Sequence, residues 1–180
     1  MTSRRLTLPP CLLSIGVAAL LLATPAAAQM TGGCDSDSTY AALDFWVGNW
    51  SVYVGDTLVG TNRITKILHG CAVVEEWRDV EGGEGRSLFY VEPALHQWKQ
   101  VWVTDAATHV GGLKEKHLIT RVGGGVRFQG ELRRPDGRLI LDRTTLTPAS
   151  GGQVLQLIEI STDGGTSWQP TFDARYRKAS

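Results

Sequence analysis

Glycine-containing turns recur along this chain at short, regular intervals, and this spacing constrains the fold more than any other feature. The chain has 180 residues and 21 glycines. Runs rich in β-branched and aromatic residues lie between the turns, as expected of a sandwich or a barrel. The candidate strands span residues 49–54, 58–68, 71–80, 86–92, 97–104, 109–114, 117–122, 126–134, 138–147, 153–161 and 168–177.

The alternation of apolar and polar residues indicates strands with one buried face. It is clearest at the start of the segment 126–133, and a period of two is typical of antiparallel strands that are buried on one face. A set of about ten strands must close or stack to avoid exposed edges. The sequence therefore predicts an all-β, antiparallel β-barrel of about eight to ten strands, with a short N-terminal helical turn over residues 40–46.

The N-terminus has the features of an export signal. Arg4 and Arg5 precede the apolar run 11–22, and Ala26 and Ala28 provide small residues for cleavage. The run is shorter than the roughly 20 residues that span a bilayer. We expect cleavage and export to the periplasm or the outside of the cell; the alternative is an N-terminal membrane anchor.

The predicted domain organisation is simple. Residues 1–28 form the signal, residues 29–42 a flexible lead-in, and residues 43–180 one barrel domain. Without the signal, 152 residues remain, with 16 basic and 18 acidic side chains and a net charge of −2. This balance disfavours a nucleic-acid partner and a charged membrane-binding surface. The oligomeric state is left open.

Two cysteines remain after removal of the signal, which contains Cys11. Cysteine pairs in small exported domains usually form disulfides, so we expect a bond between Cys34 and Cys71. The alternative is two free thiols. No Cys-x-x-Cys spacing supports a metal site.

Several segments carry a resemblance to a known family: residues 43–52 with Gly48-x-Trp50, residues 74–77, 88–90 and 98–105, and residues 158–165 with Trp168, Phe172, Asp173 and Tyr176. In these segments the chain resembles a family of exported bacterial proteins of unknown function with a lipocalin-like β-barrel, of the calycin superfamily. The resemblance covers roughly residues 43–177 and implies the lipocalin-like fold, while it says little about function.

Four residues are assigned structural roles. Gly48 allows close backbone approach and Trp50 fills one end of the barrel. The segment 161–168 fits an Asp-box hairpin, in which Asp163 makes the turn and Trp168 packs beneath it. One such box is a folding device and brings no catalytic residue.

The candidate ligand-binding residues are chosen from chemistry, because the sequence does not determine which strand face points inward. Glu75 and Glu76 are adjacent and face opposite ways, and we assign Glu76 to the lumen. Trp98, Gln100 and Trp102 share one face of a strand and resemble either a binding wall or a core. The predicted lining residues are Glu76, Tyr90, Gln100, Trp102, Glu159 and Arg175.

Three hypotheses about function follow. The first is a binding protein that holds a small, mostly apolar molecule in the barrel lumen. The second is a calycin-fold enzyme for a lipophilic substrate, with Glu76 or Glu159 as general base. The third is a filled barrel that acts through its surface as an envelope or protein-interaction module. The sequence shows no catalytic motif and no metal-ligand cluster among its four histidines, and no cofactor is predicted.

Overall fold

The computed structural model describes residues 33–106, 108 and 111–179. None of the helices in this part of the chain is long and apolar enough to cross a membrane. The strands are β1 (Gly48–Val54), β2 (Thr57–Ile67), β3 (Ala72–Asp79), β4 (Glu84–Glu92), β5 (Gln97–Thr104), β6 (Leu113–Val122), β7 (Gly125–Arg133), β8 (Leu139–Ala149), β9 (Gln153–Ser161) and β10 (Gln169–Lys178).

The strands form a closed barrel in which each strand pairs antiparallel with its neighbours in the sequence. The pairing of β1 with β10, where Val52 lies opposite Tyr176, closes the ring. Closure leaves no open sheet edge, which satisfies the constraint that the turn spacing imposes on so many short strands. The predicted all-β antiparallel barrel is confirmed.

One strand boundary was predicted wrongly. The sequence suggested two strands, 109–114 and 117–122, but the structure has the single strand β6. The residues between them, Glu115 and Lys116, pair in register with Val101 and Gln100 of β5. Lys116 points inward and Glu115 outward, as the pleat requires.

The N-terminal segment folds against one end of the barrel. It contains three short 3-10 helices, Cys34–Ser36, Ser38–Ala41 and Asp44–Trp46, so the helical turn expected near 40–46 is present. The Cys34–Cys71 disulfide ties this segment to the β2–β3 turn and confirms the predicted pairing. The described part of the expected flexible lead-in is therefore folded, while the expected signal, 1–28, lies outside the described residues.

The end of the barrel against which the N-terminal segment folds is filled with aromatic side chains that pack on one another. Trp46 is fully buried and contacts Phe89 and Tyr176 edge-to-face, with centroids 5.7 and 6.0 Å apart. Phe89 packs in the same manner on Phe128, at 5.4 Å. Trp50 is also buried, and its Nε1 donates to the carbonyl oxygen of Trp46, at 2.8 Å. We call this region the closed end.

Gly48 has a backbone φ of +143°, a conformation that glycine adopts readily and other residues rarely do. It begins β1 next to Lys178, whose Nζ lies 3.9 Å from the centroid of the Trp50 ring. Gly48 and Trp50 therefore occupy structural positions at the start of the barrel.

The β9–β10 hairpin is built around Asp163. Its carboxylate accepts from the backbone N–H of Ser167 at 3.0 Å and from the hydroxyls of Ser167 and Ser161 at 2.6 and 2.7 Å. These hydrogen bonds, those from Ser167 above all, hold the pKa of Asp163 well below its usual range. Trp168 Nε1 donates to the carbonyl of Gly165 at 3.1 Å, which completes the turn.

Candidate functional site

A cavity of about 330 Å³ lies at the end of the barrel opposite the aromatic core. We call this the open end; the β1–β2, β3–β4, β7–β8 and β9–β10 connections lie at the same end of the barrel. The volume falls near the lower limit for small-molecule sites. The cavity is lined by Glu75, Trp77, Gln100, Trp102, Gly111, Lys114, Lys116, Thr144, Gln156, Ile158, Thr171, Phe172 and Tyr176.

Two tryptophan rings lie over glycines of the neighbouring strands. The ring of Trp77 occupies the space that a side chain at Gly60 would fill, and the ring of Trp102 occupies that of Gly85. The missing Cβ atoms allow each ring to lie against the barrel wall. This arrangement explains how two of the largest side chains line the cavity without filling it.

Phe172 extends this aromatic wall on the other side of the ring closure. It packs edge-to-face on Trp77, with centroids 6.3 Å apart. Trp77, Trp102 and Phe172 thus offer flat apolar surfaces at the cavity mouth, suited to a planar or hydrocarbon group.

Glu75 lies deeper and is fully enclosed, with 5% of its surface exposed. Its carboxyl accepts hydrogen bonds from Asn62 Nδ2 at 2.7 Å and from Ser87 Oγ at 2.6 Å. Burial raises the pKa of Glu75, although both hydrogen bonds and the charge of Lys116 favour the ionised form. Loss of water is the largest effect, so the protonated form is favoured more than in a solvent-exposed glutamate.

Gln100 lines the cavity and has one acceptor atom without a hydrogen-bond partner among the described residues. Its Nε2 donates to Ser87 Oγ at 3.1 Å, while its buried Oε1 has no hydrogen-bond partner within the described part of the chain. Because an unsatisfied buried polar atom costs free energy, a donor from a bound molecule would be stabilised here.

The side chain of Lys116 extends along the inner face of the barrel to a buried carboxylate two strands away. It starts on β6, passes over Gly130 of β7, and contacts Asp142 and Thr144 of β8, with Nζ 2.7 Å from Thr144 Oγ1. A side chain at Gly130 would meet the Lys116 stem and the β6 backbone. Glycine at this position therefore opens the path that places the ammonium group in the lumen.

Lys114 joins the same carboxylate from the mouth of the cavity, with Nζ 2.8 Å from Asp142 Oδ2. Burial opposes ionisation of Asp142, but Lys116 and Lys114 together hold its pKa below the usual value. Burial and the charge of Lys114 together lower the pKa of Lys116 to about 8, against the attraction of Asp142. Two ammonium groups thus share one carboxylate inside the barrel.

The structure places two of the six predicted lining residues in the cavity, Gln100 and Trp102. Glu76 lies on the outer face of β3, where it pairs with Arg63, because its neighbour Glu75 is the inward residue. Side chains at adjacent positions of a strand point to opposite faces, and the sequence did not show which of the two glutamates faces the lumen.

The other three predicted residues also lie on the outer face. Tyr90 is 37% exposed, next to the inward Phe89, and Arg175 is exposed between the inward Ala174 and Tyr176. The assignment of Tyr90 and Arg175 to the lumen was wrong. Each lies directly next to an inward residue of its strand and therefore points outward.

Glu159 is buried on the outer face rather than in the lumen. Arg143 binds both of its carboxylate oxygens, at 2.7 and 2.9 Å, and the Arg143 guanidinium lies 3.9 Å from the centroid of the Trp168 ring. Hydrogen bonding to Arg143 lowers the pKa of Glu159. Its burial therefore results from the β9–β10 hairpin, and it has no access to the cavity.

The sequence reasoning missed the two lysines, Glu75, Trp77 and Phe172. One signal was available: Lys114 and Lys116 are two residues apart, so in a single strand they share a face. Because the prediction divided β6 into two strands, the shared face of the two lysines was not recognised.

Residues 33–106, 108 and 111–179 contain no group of three or more His, Cys, Asp or Glu side chains that could hold a metal ion. His117 lies opposite Lys99 in the β5–β6 pair. His109 lies outside the described residues.

Comparison with known proteins identifies no family for this chain. A scan against protein-family models gives no match, and a search of curated proteins finds no significant match. The class that the fold and the site define is a closed antiparallel β-barrel with an aromatic-lined, partly polar cavity at one end.

Proposed function

We propose that this protein is an exported, lipocalin-like binding protein that holds a small, mostly apolar molecule in the open end of its barrel. The observation that carries the proposal is the cavity itself, kept open by Trp77 and Trp102 lying over Gly60 and Gly85. A barrel evolved only for stability gains more by filling its interior, since empty volume costs packing energy.

The chemistry of the lining suggests the kind of ligand. Trp77, Trp102 and Phe172 provide apolar area, while the free Oε1 of Gln100 would accept a hydrogen bond. Few convergent polar groups in an aromatic pocket are typical of sites that orient a small ligand. The ligand we propose has a flat apolar body and at least one hydrogen-bond donor.

Export is supported by the disulfide and the N-terminal sequence pattern. The Cys34–Cys71 bond fits an oxidising compartment. We therefore place the ligand in the periplasm or outside the cell.

The two alternatives drawn from sequence fare differently. An enzyme with Glu76 or Glu159 as lumen base is contradicted, because both carboxylates are on the outer face and paired with arginines. The cavity at the open end favours the binding function over the filled-barrel alternative.

The proposal is tested by calorimetric titration with 2-naphthylmethanol, a flat aromatic alcohol with one donor. We expect saturable binding at one site, reduced at least tenfold by Trp102→Ala. The matched control is Trp168→Ala, which removes a tryptophan from the outer hairpin and should leave the affinity unchanged. Equal effects of both variants, or no binding, would contradict the proposal.

Native mass spectrometry identifies the natural ligand class. The protein, purified without denaturation from an oxidising export compartment, should carry a releasable additional mass. The same preparation of Trp102→Ala should lose it. A mass equal to the chain from Gln29 less two hydrogens, in both cases, would count against a tightly held ligand.

A further inference from the structure

We propose that Lys116 is a carbonyl-reactive amine, and that the cavity holds aromatic aldehydes or ketones as a reversible imine on its Nζ. This inference rests on the proposed function, since it names the ligand class for the same cavity. It goes further by assigning a covalent step to one side chain.

The position of the amine is the first support. Lys116 lines the cavity, yet only 2% of its side-chain surface is exposed. Gly130 clears its path across β7, and Thr144 and Asp142 fix its end. A lysine stem of this length would reach solvent from most positions, so its confinement to an aromatic-lined lumen indicates a function.

The second support is the neighbouring cation. Lys114 lies on the same face of β6 and shares Asp142 with Lys116. A second ammonium group beside a desolvated lysine favours its neutral, nucleophilic form. The pKa of Lys116, about 8, agrees with this arrangement. The titratable groups facing it are Glu75 from β3, Lys114 from β6, Asp142 from β8 and Tyr176 from β10.

The proposed step balances without an additional reactant. The ammonium group loses one proton, and the neutral Nζ attacks the carbonyl carbon to form a carbinolamine. The former carbonyl oxygen then leaves as water, with two of the three protons that Nζ carried. The product is a protonated imine, which keeps one proton and one positive charge next to Asp142. The charge of the buried group is therefore the same before and after reaction.

The surroundings favour an aromatic carbonyl compound over a small aliphatic one. The mouth of the cavity is formed by the rings of Trp77 and Trp102, with Lys114 and Lys116 on the β6 wall. A ring stacked on the tryptophans can direct its carbonyl towards the amine, and the imine would form where bulk water is partly excluded. Both conditions favour the condensed product, which water otherwise hydrolyses.

The test is reductive trapping with 2-naphthaldehyde and sodium cyanoborohydride, followed by peptide mapping. The chain contains five lysines, so Lys66, Lys99 and Lys178 serve as internal competitors. At limiting aldehyde and pH 7.5, we expect the adduct on Lys116 to exceed that on each competitor at least tenfold. Excess 2-naphthylmethanol should suppress labelling of Lys116 and not that of the others.

Two variants sharpen the test. Lys116→Arg keeps a cation for Asp142 and cannot form an imine, so specific trapping should vanish. Lys114→Gln removes the neighbouring charge and should move the pH midpoint of Lys116 trapping upwards.

The outcomes separate the two proposals. Labelling distributed according to lysine exposure, with 2-naphthylmethanol still bound by calorimetry, would overturn the imine and leave the binding function standing. Failure to bind 2-naphthylmethanol would count against the binding function itself. A midpoint unchanged in Lys114→Gln would contradict the role given to the second lysine.

Discussion

The two ends of this barrel use tryptophan in opposite ways. At the closed end, the buried side chains of Trp46 and Trp50 pack edge-to-face on Phe89 and Tyr176. At the open end, Trp77 and Trp102 lie against the wall over glycines. The same residue type thus fills one half of the lumen and lines the other.

The difference separates stability from binding. The closed end combines buried aromatic area with the disulfide, both of which stabilise the fold. The open end contains buried charges and a cavity, each of which costs free energy. A site of this kind persists because the other end supplies the stability that it lacks.

The largest expected effect comes from exchanging tryptophan for alanine at the two ends. Trp46→Ala should lower the free energy of unfolding by about 3–5 kcal/mol, since it empties a fully buried site. Trp102→Ala should cost less, because Trp102 is only partly buried and borders a cavity. Urea denaturation of both variants measures the comparison. Equal losses would remove the distinction between the ends.

Removal of the disulfide at the closed end should have the second largest effect on the free energy of unfolding. It closes a sequence separation of 37 residues, for which the chain-entropy estimate is about 3–4 kcal/mol. The double variant Cys34→Ser, Cys71→Ser should unfold at correspondingly lower urea concentration. Its affinity for 2-naphthylmethanol should stay unchanged below the transition; a loss of affinity would mean that the two ends are coupled.

Gly85→Ala tests whether glycine keeps the open end open. The new Cβ would overlap the Trp102 ring, so the ring must move towards the lumen, at a cost of about 1–3 kcal/mol. Binding should weaken while the closed end is unaffected. In a Trp102→Ala background the same substitution should cost almost nothing, which a double-mutant cycle measures. Additive losses would show that the two residues do not interact.

Glu75→Gln should have the smallest effect at acidic pH, and its effect depends on pH. Burial raises the folded-state pKa of Glu75 above its ordinary 4.5, so the unfolded chain loses this proton first as pH rises. The wild type therefore loses stability relative to the variant from about pH 4.5 until the folded-state pKa is passed. The gap grows by about 1.4 kcal/mol per pH unit in that window.

Thermal unfolding of both proteins from pH 4 to pH 8 provides the measurement. The two stability curves should lie closest together at pH 4 and separate as pH rises. A gap that stays constant with pH would show that Glu75 titrates alike in the folded and unfolded states.

The architecture was accessible from the sequence because glycine turns and period-two patterns act locally. Those signals predicted the barrel. The Cys34–Cys71 pair was predicted separately, from the two cysteines that remain after removal of the export signal. The site was less accessible, because the direction of each strand's pleat is set by its partners around the ring. Glu75 and Glu76 differ in no local property, yet Glu75 faces the lumen and Glu76 faces Arg63.

Long-range contacts account for the remaining errors. Glu159 is buried because the β9–β10 hairpin and Arg143 cover it from outside. Lys116 reaches its partner by crossing Gly130, a glycine one strand away. Neither relation is visible until the strands are paired.

The most direct test of the two-ended account follows the six tryptophan indole N–H signals by nuclear magnetic resonance during titration with 2-naphthylmethanol. We expect Trp77 and Trp102 to shift, because they line the cavity. The signals of Trp46, Trp50 and Trp98, buried at the closed end, and of Trp168 on the outer hairpin should stay in place. Shifts confined to Trp168, or spread evenly over all six, would contradict a ligand site at the open end.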